Sequence, residues 1–303
     1  MAGKKNGGGC GLLVLVIVAG LLGYGYYKSK HDSSTAPPSG SGTGGGTGRY
    51  VALGDSYTSA PRTGKQAGTP AGCDRSDNNY PHLVAAKVKP AQFVDVSCSG
   101  AKTSDMAGSQ STRNGTNPPQ LDAVTSATTL VTLGIGGNDI GFIALAPSCV
   151  TSHRDGEPCH DKLTAGGHDQ LADRITATAD KVGAVLDRIH QKAPKARVVV
   201  VGYPTVLPDG DGCWPAVPLG SGDVAYLRDE LAKMNDMLKQ QATSHQAGYA
   251  DTAAPSKGHD VCTGSETRWI EGLIPLSPAA PLHPNSRGEA GMADVVESLV
   301  GSS

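Results

Sequence analysis

The sequence has little excess charge, no repeat of fixed period, no Cys-x-x-Cys pair and few aromatic residues. These shortages narrow the function. With 26 basic and 28 acidic residues the formal net charge is −2. A nucleic-acid partner is not expected, because such proteins carry a basic excess. Without a period the chain is no solenoid or propeller. Without Cys-x-x-Cys spacing a structural zinc is not expected. Gly134-x-Gly136-Gly137 lacks phosphate-loop spacing and has no following lysine, so it is no nucleotide cradle. Glycine, by contrast, is abundant at 41 residues, partly because of an N-terminal linker.

Residues 1–30 read as a targeting segment. Lys4 and Lys5 precede an apolar run from Leu12 to Leu22. Counted strictly, the run fits a signal-peptide core. Counted from Gly11 to Tyr27 it spans about 26 Å as a helix, the low end for crossing a membrane. A cleaved signal and an uncleaved anchor both fit. Cys10 precedes the run and is not placed as a lipoprotein cysteine. Residues 31–48, rich in Ser, Thr, Gly and Pro, read as a disordered linker that buries too little to offset its ordering entropy. Residues 49–303 are then one domain, long enough for a sizeable core. An extracellular place, secreted or on the outer face of the plasma membrane, is expected. Its six cysteines (Cys73, Cys98, Cys149, Cys159, Cys213 and Cys262) agree with export, an even count suiting three disulfides in an oxidising compartment. The sequence alone leaves their pairing open.

Strands and helices alternate along the domain. Short β-prone runs at 49–53, 92–96, 128–133, 197–201 and 247–251 alternate with helical patterns at 80–88, 120–127, 169–192, 222–243 and 285–299. That order predicts an α/β fold with a parallel sheet covered on both faces. Ligand sites in such folds lie beyond the C-terminal strand ends.

Three polar clusters fall at those ends. Gly54-Asp55-Ser56-Tyr57 follows the first strand, Ser97-Cys98-Ser99-Gly100-Ala101 the second, and Gly136-Gly137-Asn138-Asp139 the third. Ser56 is the candidate nucleophile, Gly100 a candidate backbone oxyanion donor and Asn138 a candidate side-chain donor. His283, in Leu282-His283-Pro284-Asn285, is the candidate base; His259, in Gly258-His259-Asp260, is its rival. Taken singly, each has an ordinary reading as a helix cap, a turn or a satisfied histidine. Their order along one chain is the specific signal.

That order resembles the GDSL, or SGNH, hydrolases over residues 49 to 301, with Cys213-Trp214-Pro215, Gly258-His259-Asp260-Val261-Cys262 and Arg268-Trp269 similar to the secreted actinobacterial esterases and lipases among them. The resemblance implies a three-layer α/β/α, flavodoxin-like sandwich around about five parallel strands. It implies Ser56 as nucleophile, His283 as base, and an oxyanion hole from the Ser56 and Gly100 N–H groups and the Asn138 amide. It implies disulfides Cys73–Cys98, Cys149–Cys159 and Cys213–Cys262, no cofactor or metal, and a monomer acting on a small-molecule or lipid ester.

One position departs from the family pattern. Many members carry Asp three residues before the histidine; here Ala280 stands there. Since the subgroup includes enzymes that use a backbone carbonyl, the Ala280 carbonyl is expected to hold His283 Nδ1–H. Activity should fall as His283 protonates. Segments 141–168 and 203–222 could wall an acyl pocket. A lipase or esterase is the first expectation. The alternatives are a glycan or xylan acetyl esterase and a non-catalytic exported binding domain.

Overall fold

The structure is a computed structural model that describes residues 48–301. The apolar run and nearly all of the linker lie outside the described residues. Among those residues, no helix is long and apolar enough to cross a membrane.

Five strands form one sheet: β1 (Arg49–Gly54), β2 (Gln92–Asp95), β5 (Thr128–Gly134), β6 (Arg197–Val201) and β7 (Gly248–Ala250). A separate hairpin pairs β3 (Gln110–Thr112) with β4 (Gly115–Asn117). The sheet order is β2-β1-β5-β6-β7 and every pairing is parallel. Counting sheet strands alone, this is the flavodoxin-like order. The helices are α1 (Ser56–Ser59), α2 (Tyr80–Val88), α3 (Gly137–Ile140), α4 (Phe142–Cys149), α5 (Pro158–Leu163), α6 (Gln170–Lys192), α7 (Ser221–Ser244), α8 (Ala253–Ser256) and α9 (Ser286–Val300).

Alternation along the strands builds the three layers. Successive side chains point to opposite faces. Val51 and Leu53 of β1, with Val131, Leu133, Val198 and Val200, enter a core shared with Val182 and Leu186 of α6 and Leu231 and Met234 of α7. Tyr50 and Ala52, with Val199 and Val201, enter a second core with Tyr80 and Val84 of α2 and Met292 and Val296 of α9. These strands are buried on both faces, which explains their nearly continuous apolar sequences.

The cysteines pair as Cys73–Cys98, Cys149–Cys159 and Cys213–Cys262. The first ties the chain after β2 to the long β1–α2 connection. The second bridges α4 to α5. Residues 141–168, expected as a candidate wall of an acyl pocket, thus contain two short helices. Each is too short to show a helical period, Pro147 lies inside α4, and Gly141 separates α4 from α3.

The order of strands also fixes where a site can form. The crossovers from β1 run to β2 on one side and, later, to β5 on the other. The crevice between the C-terminal ends of β1 and β5 is therefore the topological switch point.

Candidate active site

The switch point holds the first of the sequence clusters. β1 and β5 end together at Gly54 and Gly134, where Asp55 N–H donates to the Gly134 carbonyl at 3.0 Å. Asp55 then caps α1, its carboxylate accepting from Tyr57 N–H at 2.9 Å, and Ser56 becomes the first helical residue. The turn leaves no room at Gly54: a Cβ there would lie 2.1 Å from Thr58 Oγ1 and 2.7 Å from the Gly134 carbonyl oxygen. The glycine is required by close backbone approach.

His283 arrives from the other end of the chain. Its Nε2 lies 2.8 Å from Ser56 Oγ and its Nδ1 lies 2.7 Å from the Pro281 carbonyl. A carbonyl oxygen can only accept, so Nδ1 carries the ring hydrogen and Nε2 is left to accept from the Ser56 hydroxyl. Both residues are buried, Ser56 at 9% and His283 at 7% exposure. Burial lowers the His283 pKa below its ordinary 6.5; the Pro281 carbonyl opposes this and Arg62 adds to it.

The Ala280 expectation is corrected by one residue. The Ala280 carbonyl accepts the backbone N–H of His283 at 3.2 Å, closing a turn. Pro281 is the second residue of that turn and Leu282, with φ +60°, the third. This is the pattern of a type II turn. The turn occupies the Ala280 carbonyl and leaves that of Pro281 for the imidazole. The substituent for the missing aspartate is thus a backbone carbonyl, two residues before the histidine. His259 is committed elsewhere: its Nδ1 bonds the Thr267 carbonyl at 2.6 Å and its ring stacks on Trp269.

Asn138 lies on α3, just beyond β5, and lines the same pocket as Ser56. Its amide donates to the Ala101 carbonyl at 3.0 Å, which fixes its orientation and leaves its second N–H hydrogen. Gly100 has φ +79° and sits between two residues tied to this centre. Ser99 Oγ meets Ser59 Oγ at 3.1 Å, and Ala101 holds Asn138. The structure therefore sets Ser56 and Asn138 on one pocket, holds His283 against Ser56, and places Gly100 in the loop that carries Ala101.

Three further residues join the site. Tyr203, two residues past β6, donates to Asp55 at 2.6 Å and accepts from Gly137 N–H at 2.8 Å, so one hydroxyl spans the serine and asparagine turns. Asn235 of α7 clamps the Tyr203 backbone at both N–H and carbonyl, each at 2.8 Å. Tyr57 donates to the Leu282 carbonyl at 2.7 Å and packs its ring 4.9 Å from the His283 ring. Burial pushes the Asp55 carboxyl up to about 7 despite these donors. Tyr203 had a readable signal, since it stands at a fourth strand end on the same sheet edge. Tyr57 and Asp55 adjoin the serine, but nothing in the sequence showed what they would bond.

Beyond Ser56 the pocket is narrow and walled by Ile140, Phe142, Ile143, Leu231 and Met234. Among the described residues, two other groups have ligand-bearing atoms close together. In one, the sulfurs of Cys149 and Cys159 are already bonded to each other and Asp223 caps α5. The other, Glu157, His160 and Asp161, lies on or beside α5, where neither Ser56 nor His283 takes part.

A buried serine hydroxyl on a neutral imidazole, beside an aimed amide and an apolar pocket, is suited to attack on a carbonyl carbon. The model of the GDSL-like lipase/acylhydrolase family matches residues 52–290. Lipase 2 of Streptomyces coelicolor is 38% identical over 261 residues, 83% of this chain and 85% of its own. Among solved structures, phospholipase A1 from Streptomyces albidoflavus has a TM-score of 0.66 at 30% identity, covering 83% of this chain and 98% of that one. The extracellular lipase from Streptomyces rimosus has a TM-score of 0.65, also at 30% identity, covering 83% and 99%. This chain therefore belongs to the GDSL-like lipase/acylhydrolase family, a family of carboxylic ester hydrolases.

Proposed function

We propose that this chain is an exported serine esterase or lipase that hydrolyses acyl esters through an acyl-enzyme on Ser56. The observation that carries the reading is the Ser56–His283–Pro281 chain of hydrogen bonds, 2.8 and 2.7 Å long. His283 Nε2 takes the hydroxyl proton as Ser56 Oγ attacks the ester carbonyl. The N–H groups of Ser56 and Gly100 and the free amide hydrogen of Asn138 stabilise the oxyanion. When the tetrahedral adduct collapses, the C–O bond to the alcohol breaks and imidazolium donates its proton to the leaving oxygen. Water, deprotonated by His283, then attacks the acyl-enzyme, and Ser56 recovers its proton. The Pro281 carbonyl keeps the tautomer fixed throughout but supplies no full negative charge to the imidazolium.

Three disulfides and the extracellular relative from Streptomyces rimosus support export. The apolar wall of Ile140, Phe142 and Ile143 supports an acyl chain on that side. So do relatives named as lipases and a phospholipase A1. A second reading, an acetyl esterase acting on glycans, is favoured by how closely Ile140, Phe142 and Ile143 approach beyond Ser56, which suits a short acyl group.

A p-nitrophenyl ester series on wild type, Ser56→Ala and His283→Ala tests both. Either substitution should lower turnover by about 10⁴-fold or more. Turnover by wild type at no chain length would defeat the hydrolase reading. Preference for acetate over longer chains would select the second reading.

A further inference from the structure

The segment between Glu271 and His283 is built differently from the rest of the surface. Its ends are joined: Glu271 N–H donates to the His283 carbonyl at 3.0 Å, and Leu282 N–H to the Glu271 carbonyl at 3.1 Å. The loop enclosed, Gly272 to Pro281, contains no ionisable side chain and has three prolines. Ile274 is 81% exposed and Leu276 68%, the highest values among large apolar residues in the described chain.

This tip is braced from several directions. Leu273 packs against the main core and Ala279 is buried, so the loop has an inner and an outer side. The carboxylate of Glu271, itself fully buried, accepts from Leu276 N–H at 2.8 Å and from Asn285 Nδ2 at 2.8 Å. Ala280 N–H donates to the Pro61 carbonyl at 3.0 Å. Prolines reduce the backbone freedom further. Two aliphatic side chains are thus held in water on a stiff support, an arrangement that costs free energy unless something covers them.

Position and size decide what the cover is. The base of the loop is stapled to the backbone of His283, and Tyr57, beside the nucleophile, bonds the Leu282 carbonyl at that base, so the support of the tip is continuous with the site. Two side chains present at most roughly 300 Å², well short of the ~800 Å² per partner of a stable dimer. Shallow insertion of a few aliphatic groups, without ion pairing, is the physics of reversible binding to a lipid interface.

Building on the ester-hydrolase reading, we propose that the Ile274–Leu276 tip is an interfacial docking element. It inserts into the surface of aggregated lipid and sets Ser56 against ester substrate held there.

Two measurements on the full chain test this. In Ile274→Trp, emission should shift to the blue on adding phosphatidylcholine vesicles and be quenched by brominated lipid, beyond any change in wild type. Emission no different from wild type with vesicles present would overturn the proposal, whatever the enzymatic activity. In Ile274→Ser/Leu276→Ser, p-nitrophenyl acetate in solution should turn over within about twofold of wild type. A long-chain p-nitrophenyl ester carried in the same vesicles should be hydrolysed roughly tenfold more slowly or worse. Equal losses on both substrates, or no loss on vesicles, would overturn it. A change from dimer to monomer with vesicle hydrolysis intact would assign the tip to a second copy and overturn it as well. Absence of turnover by wild type on both substrates defeats the hydrolase reading instead, and leaves the tryptophan measurement to judge the docking.

Discussion

Leu282 carries φ +60°, a backbone region that costs a non-glycine residue about 1 kcal/mol or more. The surroundings keep it there. Its side chain is buried, its N–H donates to Glu271, and its carbonyl accepts the Tyr57 hydroxyl. That last bond ties the residue beside the nucleophile to the turn that aims the base. Tyr57 also lines the pocket, but its hydroxyl is committed to the Leu282 carbonyl and its ring packs on His283, so it acts as a positioning residue. Tyr57→Phe should lower kcat about fivefold, the value of one neutral hydrogen bond, while KM changes little. Loss confined to KM would show that Tyr57 contacts substrate instead. His283 sets the acid limb of activity. Its pKa is lowered by burial, so the neutral base persists below pH 6.5 and is lost only as pH falls through the folded-state value. A profile of kcat/KM against pH should therefore have its acid midpoint below 6.5. A midpoint above 6.5 would require a carboxylate acting on the ring.

At the scale of elements, the strand ends do most of the positioning. The ends of β1 and β5 are tied by one backbone hydrogen bond, and Tyr203, beyond β6, spans the turns that follow them. Much of this was legible in the sequence. Apolar runs 49–53, 128–133 and 197–201 read as strands because they are buried on both faces, and the polar clusters followed at their ends. Long amphipathic helices such as α6 were equally readable from Leu171, Ile175, Val182, Leu186 and Ile189. What escaped were features set by local turns. The Pro281 carbonyl serves His283 because a turn consumes the carbonyl of Ala280, and residue spacing does not encode which way a peptide plane faces. The short helices α3 and α4 escaped for a related reason: each is too brief to show a period. Yet α4 sets the pocket. Phe142 and Ile143 close the space beyond Ser56, between Gly141 and a proline-bearing turn. Phe142→Ala should raise kcat/KM for an octanoyl ester relative to acetyl by about tenfold, a few methylenes' worth of binding. An unchanged ratio would place the acyl chain on another wall. Asn138→Ala, on α3, should cost about 10²–10³ in kcat if its amide meets the oxyanion.

Across the whole molecule, buried ionisable groups link stability to pH in opposing senses. Glu289 of α9 is fully buried; one carboxylate oxygen accepts from Tyr80 N–H at 2.7 Å and the other has no hydrogen-bond partner. The bond joins α9 to the start of α2 and helps fasten the layer opposite α6 and α7. Burial raises its pKa well above 4.5, against the donor from Tyr80. In the unfolded chain Glu289 ionises near 4.5, whereas in the folded protein it keeps its proton. The folded state then binds more protons, and this group's contribution falls as pH rises above 4.5. His283 works the other way: the unfolded chain takes up its proton near 6.5 while the folded protein resists, so stability from this group is lost on acidification. Comparing Glu289→Gln with wild type isolates the first effect, because glutamine keeps an acceptor for Tyr80 N–H and cannot ionise. Its melting temperature, measured relative to wild type, should rise between pH 4 and pH 8. The expected change is about 2–4 °C, the shift that roughly 1 kcal/mol produces in a domain of this size. A difference independent of pH would mean that Glu289 is already ionised in the folded protein, and that a partner for its second oxygen forms in solution.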